Sequence, residues 1–494
     1  MCKSSVIVVF AATAILGQTI PSAAAWSNDP TINLPVKVGD GSQQVSASSS
    51  VSDGAGGALV FWVDEPYSTP QVWGQRVSAD GEILWAVEGI PMCTASGSKS
   101  LLHAISDGSG GAIVVWRDRR GSDYDFYGQR IDSNGNILWP AGAPSLDAQP
   151  LVTVAGEQDS LSAISDGAGG VIISWRHDDP TDDAAYAQRI DPNGNRMWPS
   201  GAPADTGTVV CDHSHAQFNP SSTPDGSGGV IVVWTDSRNS ATTLSDIYAQ
   251  RLDADGNRQW ALDGMPVTLA DYGQTEPLAT ATGTGGAIVI WKDYRVSGAV
   301  EGIFAQRISA AGVPMWAEDV TLSEELEGGK GIVSDGAGGA YVVWRDRRFI
   351  STTDRDLLAQ RLSPIGHQMW GVDDLPLVVE DDSQSGFDIL SDGPGGLYVA
   401  WADQRDGGVD IYAQHISTGG AISGPVNGFE VCTHPDWQAG PTIVGGGFGL
   451  IVAWNDYRTA GNGTDVYANK VFVDQIFNDG FESGDPSEWD AVFP

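Results

Sequence analysis

The sequence predicts an all-β fold: an eight-bladed β-propeller of four-stranded antiparallel blades, its last blade closed by the N-terminal strand. Three observations carry this. One text recurs eight times: Asp-Gly-x-Gly-Gly, an apolar run ending in Trp, an Asp/Arg-rich turn, then Tyr-Ala-Gln-Arg. The run is apolar at consecutive rather than alternate positions, so both faces of that strand must be covered. The eighth copy lacks its last strand, and the start of the chain holds an orphan strand of that kind.

The repeat is anchored by Trp62, Trp116, Trp175, Trp234, Trp291, Trp344, Trp401 and Trp454, spaced by 53 to 59 residues. Each unit reads as four short strands, A to D. Strand A precedes the glycine turn, as in Leu102-His103-Ala104-Ile105. The turn reverses the chain because glycine adopts positive φ without a Cβ penalty. Strand B is the apolar run (Ala112 to Trp116), and strand C carries the Tyr-Ala-Gln-Arg text (Ile247 to Arg251). A second turn follows, often ending in another Trp, such as Trp85, Trp139 or Trp370. Strand D is a Leu-Pro-Val segment whose proline suits an edge, where a missing N–H is harmless. Asn33 to Val38 is the orphan strand, predicted to lie on the outer edge of blade eight. Antiparallel four-stranded units covered on both faces are propeller blades.

Length alone, at 494 residues, suggests about three domains of roughly 150 residues each. The repeat replaces this with one ring over residues 26–474, an N-terminal leader over 1–25 and an acidic tail over 475–494. The leader reads as a secretory signal peptide: Lys3, an apolar core from Val6 to Leu16, and Ala23-Ala24-Ala25 as the cleavage site. The expected location is outside the cell, at its surface or in the periplasm. No second long apolar run is present to span a membrane. A net charge of −37, from 63 acidic and 26 basic residues, repels a phosphate backbone and argues against a nucleic-acid partner. Cys93, Cys211 and Cys432 fall at equivalent places in blades one, three and seven, none of them adjacent, so three free buried thiols are expected.

The units resemble those of a broad set of secreted bacterial repeat proteins with DGxGG…WxDxR…DIYAQR text, over about residues 30–474. The resemblance implies a propeller outside the cell and no single activity. The end of the chain, Asp479-Gly480-Phe481-Glu482-Ser483-Gly484-Asp485, resembles a C-terminal segment of exported bacterial proteins, which implies sorting or surface retention.

With A innermost, the B–C and D–A loops share one face of the ring. Trp-x-Asp-x-Arg lies there and is complete in six blades, with Asp118, Asp236, Asp293, Asp346, Asp403 and Asp456. Each Asp is expected to cap its turn, with the Arg bridging across the loop to the acid that opens strand C, as at Asp125 or Asp410. Six copies in eight blades are the mark of architecture. As a functional alternative, a ring of carboxylates offers the hard oxygen ligands that suit Ca²⁺ or a polar polymer. Blade three departs most, with His177 and Asp179 in place of the Asp and Arg, and with His213 and His215 in its D–A loop. Those four are the candidate Zn²⁺ ligands, since a His-x-His pair beside an acid suits a transition metal. Trp437, in the loop after blade seven, is the candidate stacking residue for a sugar or peptide.

No catalytic text is present: no Gly-x-Ser-x-Gly, His-Glu-x-x-His or P-loop. The expected function is a secreted, monomeric binding or scaffold propeller that presents its B–C/D–A face to an extracellular glycan or protein. The alternative is an exported propeller enzyme acting on glycans, as hydrolase or lyase. Regular blades without long loop insertions favour the first.

Overall fold

The computed structural model describes residues 26–38, 46–65, 70–179, 182–201, 205–211, 213–296, 300–350, 355–380, 382–446, 449–458 and 463–472. The leader over 1–25 and the tail over 475–494 lie outside them.

The described chain folds into eight antiparallel blades of four strands in the order A-B-C-D. Blade two is representative, with strands Ser98–Ser106, Ala112–Arg119, Asp125–Ile131 and Gln149–Val152. Blade seven carries an extra two-residue strand, Ile422–Ser423, beside its strand C. Successive A strands neighbour one another, and strand A of blade eight (Gln438–Gly445) meets strand A of blade one (Ser46–Ser52), so the ring is closed. Strand D of blade eight is Leu34–Lys37, antiparallel to Asp465–Phe472 with Leu34 opposite Ala468.

Strand B is buried along its length, as the apolar run requires. The core lies between blades. Ile113, Val115, Trp139 and Leu151 of blade two pack on Val171, Ile173 and Trp175 of blade three. Burial of each such aliphatic side chain contributes about 1.5–3 kcal/mol. The three thiols are free and buried, as expected.

The glycine turn shows why its residues recur. In blade two, Asp107 Oδ1 accepts the N–H groups of Ser109 and Gly111 at 2.8 and 2.9 Å. Gly108 and Gly110 have φ of 73° and 82°, which only glycine adopts freely. Gly111 is glycine for a different reason: a Cβ there would lie 2.3 Å from the Ile131 carbonyl oxygen.

The same Asp begins a clasp between blades. Asp107 Oδ2 accepts from Arg130 Nε and Nη2, and Arg130 Nη1 reaches on to the Pro192 carbonyl of blade three at 2.9 Å. Trp139 Nε1 donates to that same carbonyl at 3.0 Å. Arg and Trp converge in this way on Ser133, Ala254, Ala310, Pro364 and Thr418 from the preceding blades. At the closure, Lys470 stands for the Arg and Trp26 for the Trp, both donating to the Ala79 carbonyl. In blade seven His415 and Gly424 occupy the two positions. His415 Nε2 lies 3.2 Å from Asp392 of its own turn.

Candidate functional site

The six repeat aspartates are turned inward. Asp236 is representative: Trp234 Nε1 donates to Oδ2 at 2.8 Å, Arg238 Nη2 to Oδ2 at 2.6 Å, and the Arg238 backbone N–H to Oδ1 at 2.9 Å. Asp118, Asp293, Asp346, Asp403 and Asp456 likewise hold the indole two residues before them and the guanidinium two residues after. All six side chains are buried. The Arg in turn covers the aromatic residue of strand C, as Arg238 does Tyr248 at 3.8 Å.

The Arg therefore folds back on its own Asp instead of bridging to the acid of strand C. Those acids lie directly opposite the repeat Asp, Asp118 to Asp125 and Asp403 to Asp410. Burial, joined by neighbouring carboxylates, pushes Asp125 and Asp410 up to about 6. In blades one and three, which lack the Arg, the indoles of Trp62 and Trp175 find no acceptor among the described residues.

The four candidate metal ligands are dispersed in role. His177 is buried, with Nδ1 3.1 Å from Gln158 Nε2 and its ring edge-on to Tyr186. The His213 and His215 rings lie side by side, 5.3 Å apart, and both backbone carbonyls of these residues accept from Gln217. Asp179 closes strand B of blade three, and its side chain lies outside the described residues. No group of three or more His, Cys, Asp or Glu able to hold a metal ion is found among the described residues.

The irregularity of the ring is at its axis. Every strand A carries a bulge near its D–A end, where its register against strand B shifts. The bulge residue has positive φ even where it is not glycine: Leu101 (50°), Ser160 (55°), Asn219 (51°) and Glu276 (52°). Such backbone is strained for an L-residue and is held only by its surroundings. These four residues line one cavity of about 480 Å³ at the axial mouth, with Leu161, Pro220, Pro277, Leu278 and residues 328–330. A second cavity, of about 350 Å³, opens between blades six and seven and is lined by residues 329–331, Arg345 and residues 385–389. Lys330 belongs to both.

Charge collects around this mouth. The middle residue of Trp-x-Asp is cationic in blades two, three, five and six: Arg117, Arg176, Lys292 and Arg345. Arg117 pairs with Asp159 of the next blade at 2.5 Å, and Lys292 with Glu276 at 2.9 Å. Lys330 has Glu276 at 3.8 Å. Burial pulls the Lys330 ammonium down to about 8, against the attraction of Glu276 and with help from Lys292. Asp388 is pushed up by burial, although the backbone N–H groups of Ile443 and Ile389 bond its two oxygens. A perturbed titratable group in a cleft marks a candidate site.

Trp437 stands one residue before strand A of blade eight and is 62% exposed. Its carbonyl accepts the N–H of Tyr457, itself exposed, which sets two aromatic side chains on the B–C/D–A face. The sequence singles out Trp437 and passes over the axial cluster. The signal of that cluster is the Gly328-Gly329-Lys330-Gly331 text, which puts one of only six lysines into a strand A and adds one residue between the position opposite the repeat Asp and the turn Asp.

No family model matches the chain, and no curated protein does. Many solved structures do. The polysaccharide lyase Uly1 is 8% identical with a TM-score of 0.46, over 88% of this chain and 91% of that one. The α-L-arabinanase of Penicillium chrysogenum, solved with arabinobiose, is 10% identical with a TM-score of 0.36, over 76% and 94%. A protein of unknown function from Dyadobacter fermentans is 10% identical with a TM-score of 0.34, over 64% and 95%. At these identities the likeness goes no further than the fold.

Proposed function

We propose that this protein is a secreted binding propeller that seats an extracellular glycan at the axial mouth of its B–C/D–A face. One observation carries the reading: the 480 Å³ cavity joins apolar walls (Leu101, Leu161, Pro277, Leu278) to convergent polar groups (Asp159, Asn219, Glu276, Lys330). A sugar ring needs this combination, with apolar faces for its C–H surfaces and fixed donors and acceptors for its hydroxyls. Its volume falls in the ordinary range for small-ligand sites, about 300–1,000 Å³. Trp437 and Tyr457 extend the surface for further units of a chain. Among the described residues no helix is long and apolar enough to cross a membrane. Export rests on the 1–25 leader, and retention at the surface on the tail.

The test is a glycan array probed with the full mature protein, followed by calorimetric titration of the hits. Binding that weakens when Glu276 is changed to Gln supports the axial site. Binding unaffected by Glu276→Gln and by Asn219→Ala would move the ligand elsewhere.

A second reading, an enzyme acting on glycans, is favoured by the ammonium of Lys330 at about 8 beside Glu276. Groups that titrate near neutrality are suited to general acid–base work. Release of sugar that ends with Lys330→Met would establish it, and turnover untouched by that change would remove Lys330 from the chemistry.

A further inference from the structure

We propose that the glycan of the axial mouth is acidic, and that the anionic group of one sugar unit, a carboxylate or a sulfate ester, sits between Lys330 and Arg345. This rests on the reading of the mouth as a glycan site and names the class of ligand it takes.

The seat is built by a one-residue insertion. In blades two, three, four and seven, eight positions separate the residue opposite the Trp-x-Asp position (Lys99, Gln158, Gln217, Gln384) from the turn Asp (Asp107, Asp166, Asp225, Asp392). In blade six, Leu326 pairs with Asp346, and Asp335 follows nine positions later. The bulge takes up the extra residue: Lys330 comes opposite Trp344 and Gly331 opposite Val343. The three glycines beside Lys330 let blade seven and Arg345 approach the bulge closely. A Cβ at Gly331 would lie 2.9 Å from Ile389 Cδ1 and 3.3 Å from the Phe387 ring, and one at Gly329 would lie 3.3 Å from that ring. A Cβ at Gly328 would strike the Arg345 guanidinium. Phe387, Lys330 and Arg345 all line the cavity between blades six and seven.

The charges are unequally matched. The Lys330 side chain is only 4% exposed, and its one ion-pair partner among the described residues is Glu276, at 3.8 Å. Lys292 holds that same carboxylate at 2.9 Å and lies 3.6 Å from Glu301. Lys330 therefore takes the looser share of a carboxylate already occupied, in a chain with 63 acidic residues. A buried ammonium without a close anion is unfavourable. A ligand anion entering the cavity between blades six and seven supplies one, and the planar guanidinium of Arg345, whose Nε donates to the Glu327 carbonyl at 2.6 Å, lines that same cavity. Phe387 supplies an apolar wall of that cavity for the sugar ring that carries the anion. The overall negative field of the protein opposes an anionic chain, so affinity for one must come from this local pair.

Calorimetry on the full mature protein tests the assignment with four hexasaccharides: a galacturonate hexamer, a glucuronate-containing hexamer, the carboxyl-reduced form of the first, and a sulfated form of that reduced hexamer. The expected result is tenfold or tighter binding of at least one anionic hexamer over the reduced one. Lys330→Met should abolish that preference and Lys330→Arg keep it, and the anion preferred tells carboxylate from sulfate. Equal binding of the anionic and reduced hexamers by wild type, or a preference that survives Lys330→Met, overturns the acidic ligand and leaves the glycan reading standing. If wild type binds none of the four, this inference and the glycan reading fall together.

Discussion

The indole N–H of Trp26 donates to the carbonyl of Ala79 at 2.8 Å, the place a blade-eight tryptophan would hold if that blade had its own C–D turn. Lys470 donates to the same oxygen at 3.0 Å. Closure of the ring is thus a repeat of the joint between other blades, assembled from both ends of the described chain. Trp26→Ala should lower stability by about 3 kcal/mol, since it removes a buried indole and leaves a cavity. Denaturant unfolding of the variant checks this, and an unchanged midpoint would mean that the N-terminal strand closes the ring unaided.

The repeat aspartates should behave as structure. Asp236→Ala leaves the Trp234 indole and the Arg238 guanidinium without their shared acceptor. Breaking a buried pair from one side costs about 3–5 kcal/mol. The double variant Asp236→Ala/Arg238→Met should recover part of that loss, because no uncompensated charge remains. A double-mutant cycle by thermal unfolding measures the recovery.

Stability should rise on mild acidification. Asp64, Asp125, Asp374 and Asp410 are pushed up to about 6, chiefly by burial, from an ordinary 3.8. Each binds its proton more tightly folded than unfolded, so its contribution is full below 3.8 and lost as pH rises through 6. Asp132, Asp191 and Asp253 run the other way: burial raises them, but bonds from Asn136, Asn195 and Asn257 outweigh it and hold them low. Their contribution is lost only as pH falls below 3.8. The melting temperature should therefore peak between pH 4 and 6, and Asp125→Asn with Asp410→Asn should flatten the rise from pH 7. A profile that falls steadily from pH 7 would contradict these shifts.

Trp437→Ala should separate binding from folding. The side chain is mostly exposed, so the melting temperature should hold, while affinity for a glycan longer than the axial cavity drops about tenfold, the scale of one lost aromatic contact. Titration with a short and a long oligosaccharide checks this, since the short one should be indifferent to the change.

Architecture was legible because it is written eight times. Spacing of the tryptophans gave the blade number, the orphan Leu-Pro-Val gave the closure, and non-adjacent cysteines gave free thiols. The axial site is written once. Its strained residues are ordinary letters, Leu101, Ser160 and Asn219, and only the register of strand A against strand B reveals them. Lys330 sits in glycine-rich text that reads as one more turn, and its ion-pair partner, Glu276, comes from the neighbouring blade. The Asp of the B–C loop was expected to cap its turn, as it does, but the Arg was expected to reach the acid of strand C and instead joins the upstream indole on its own Asp.

The joint from blade seven to blade eight is the one at which His415 and Gly424 replace the Arg and Trp that grip the next blade elsewhere. Blade eight is fastened to blade one by Trp26 and Leu34–Lys37, so this one joint of a locally built ring pairs strands from opposite ends of the described chain and carries the largest loop-closure cost.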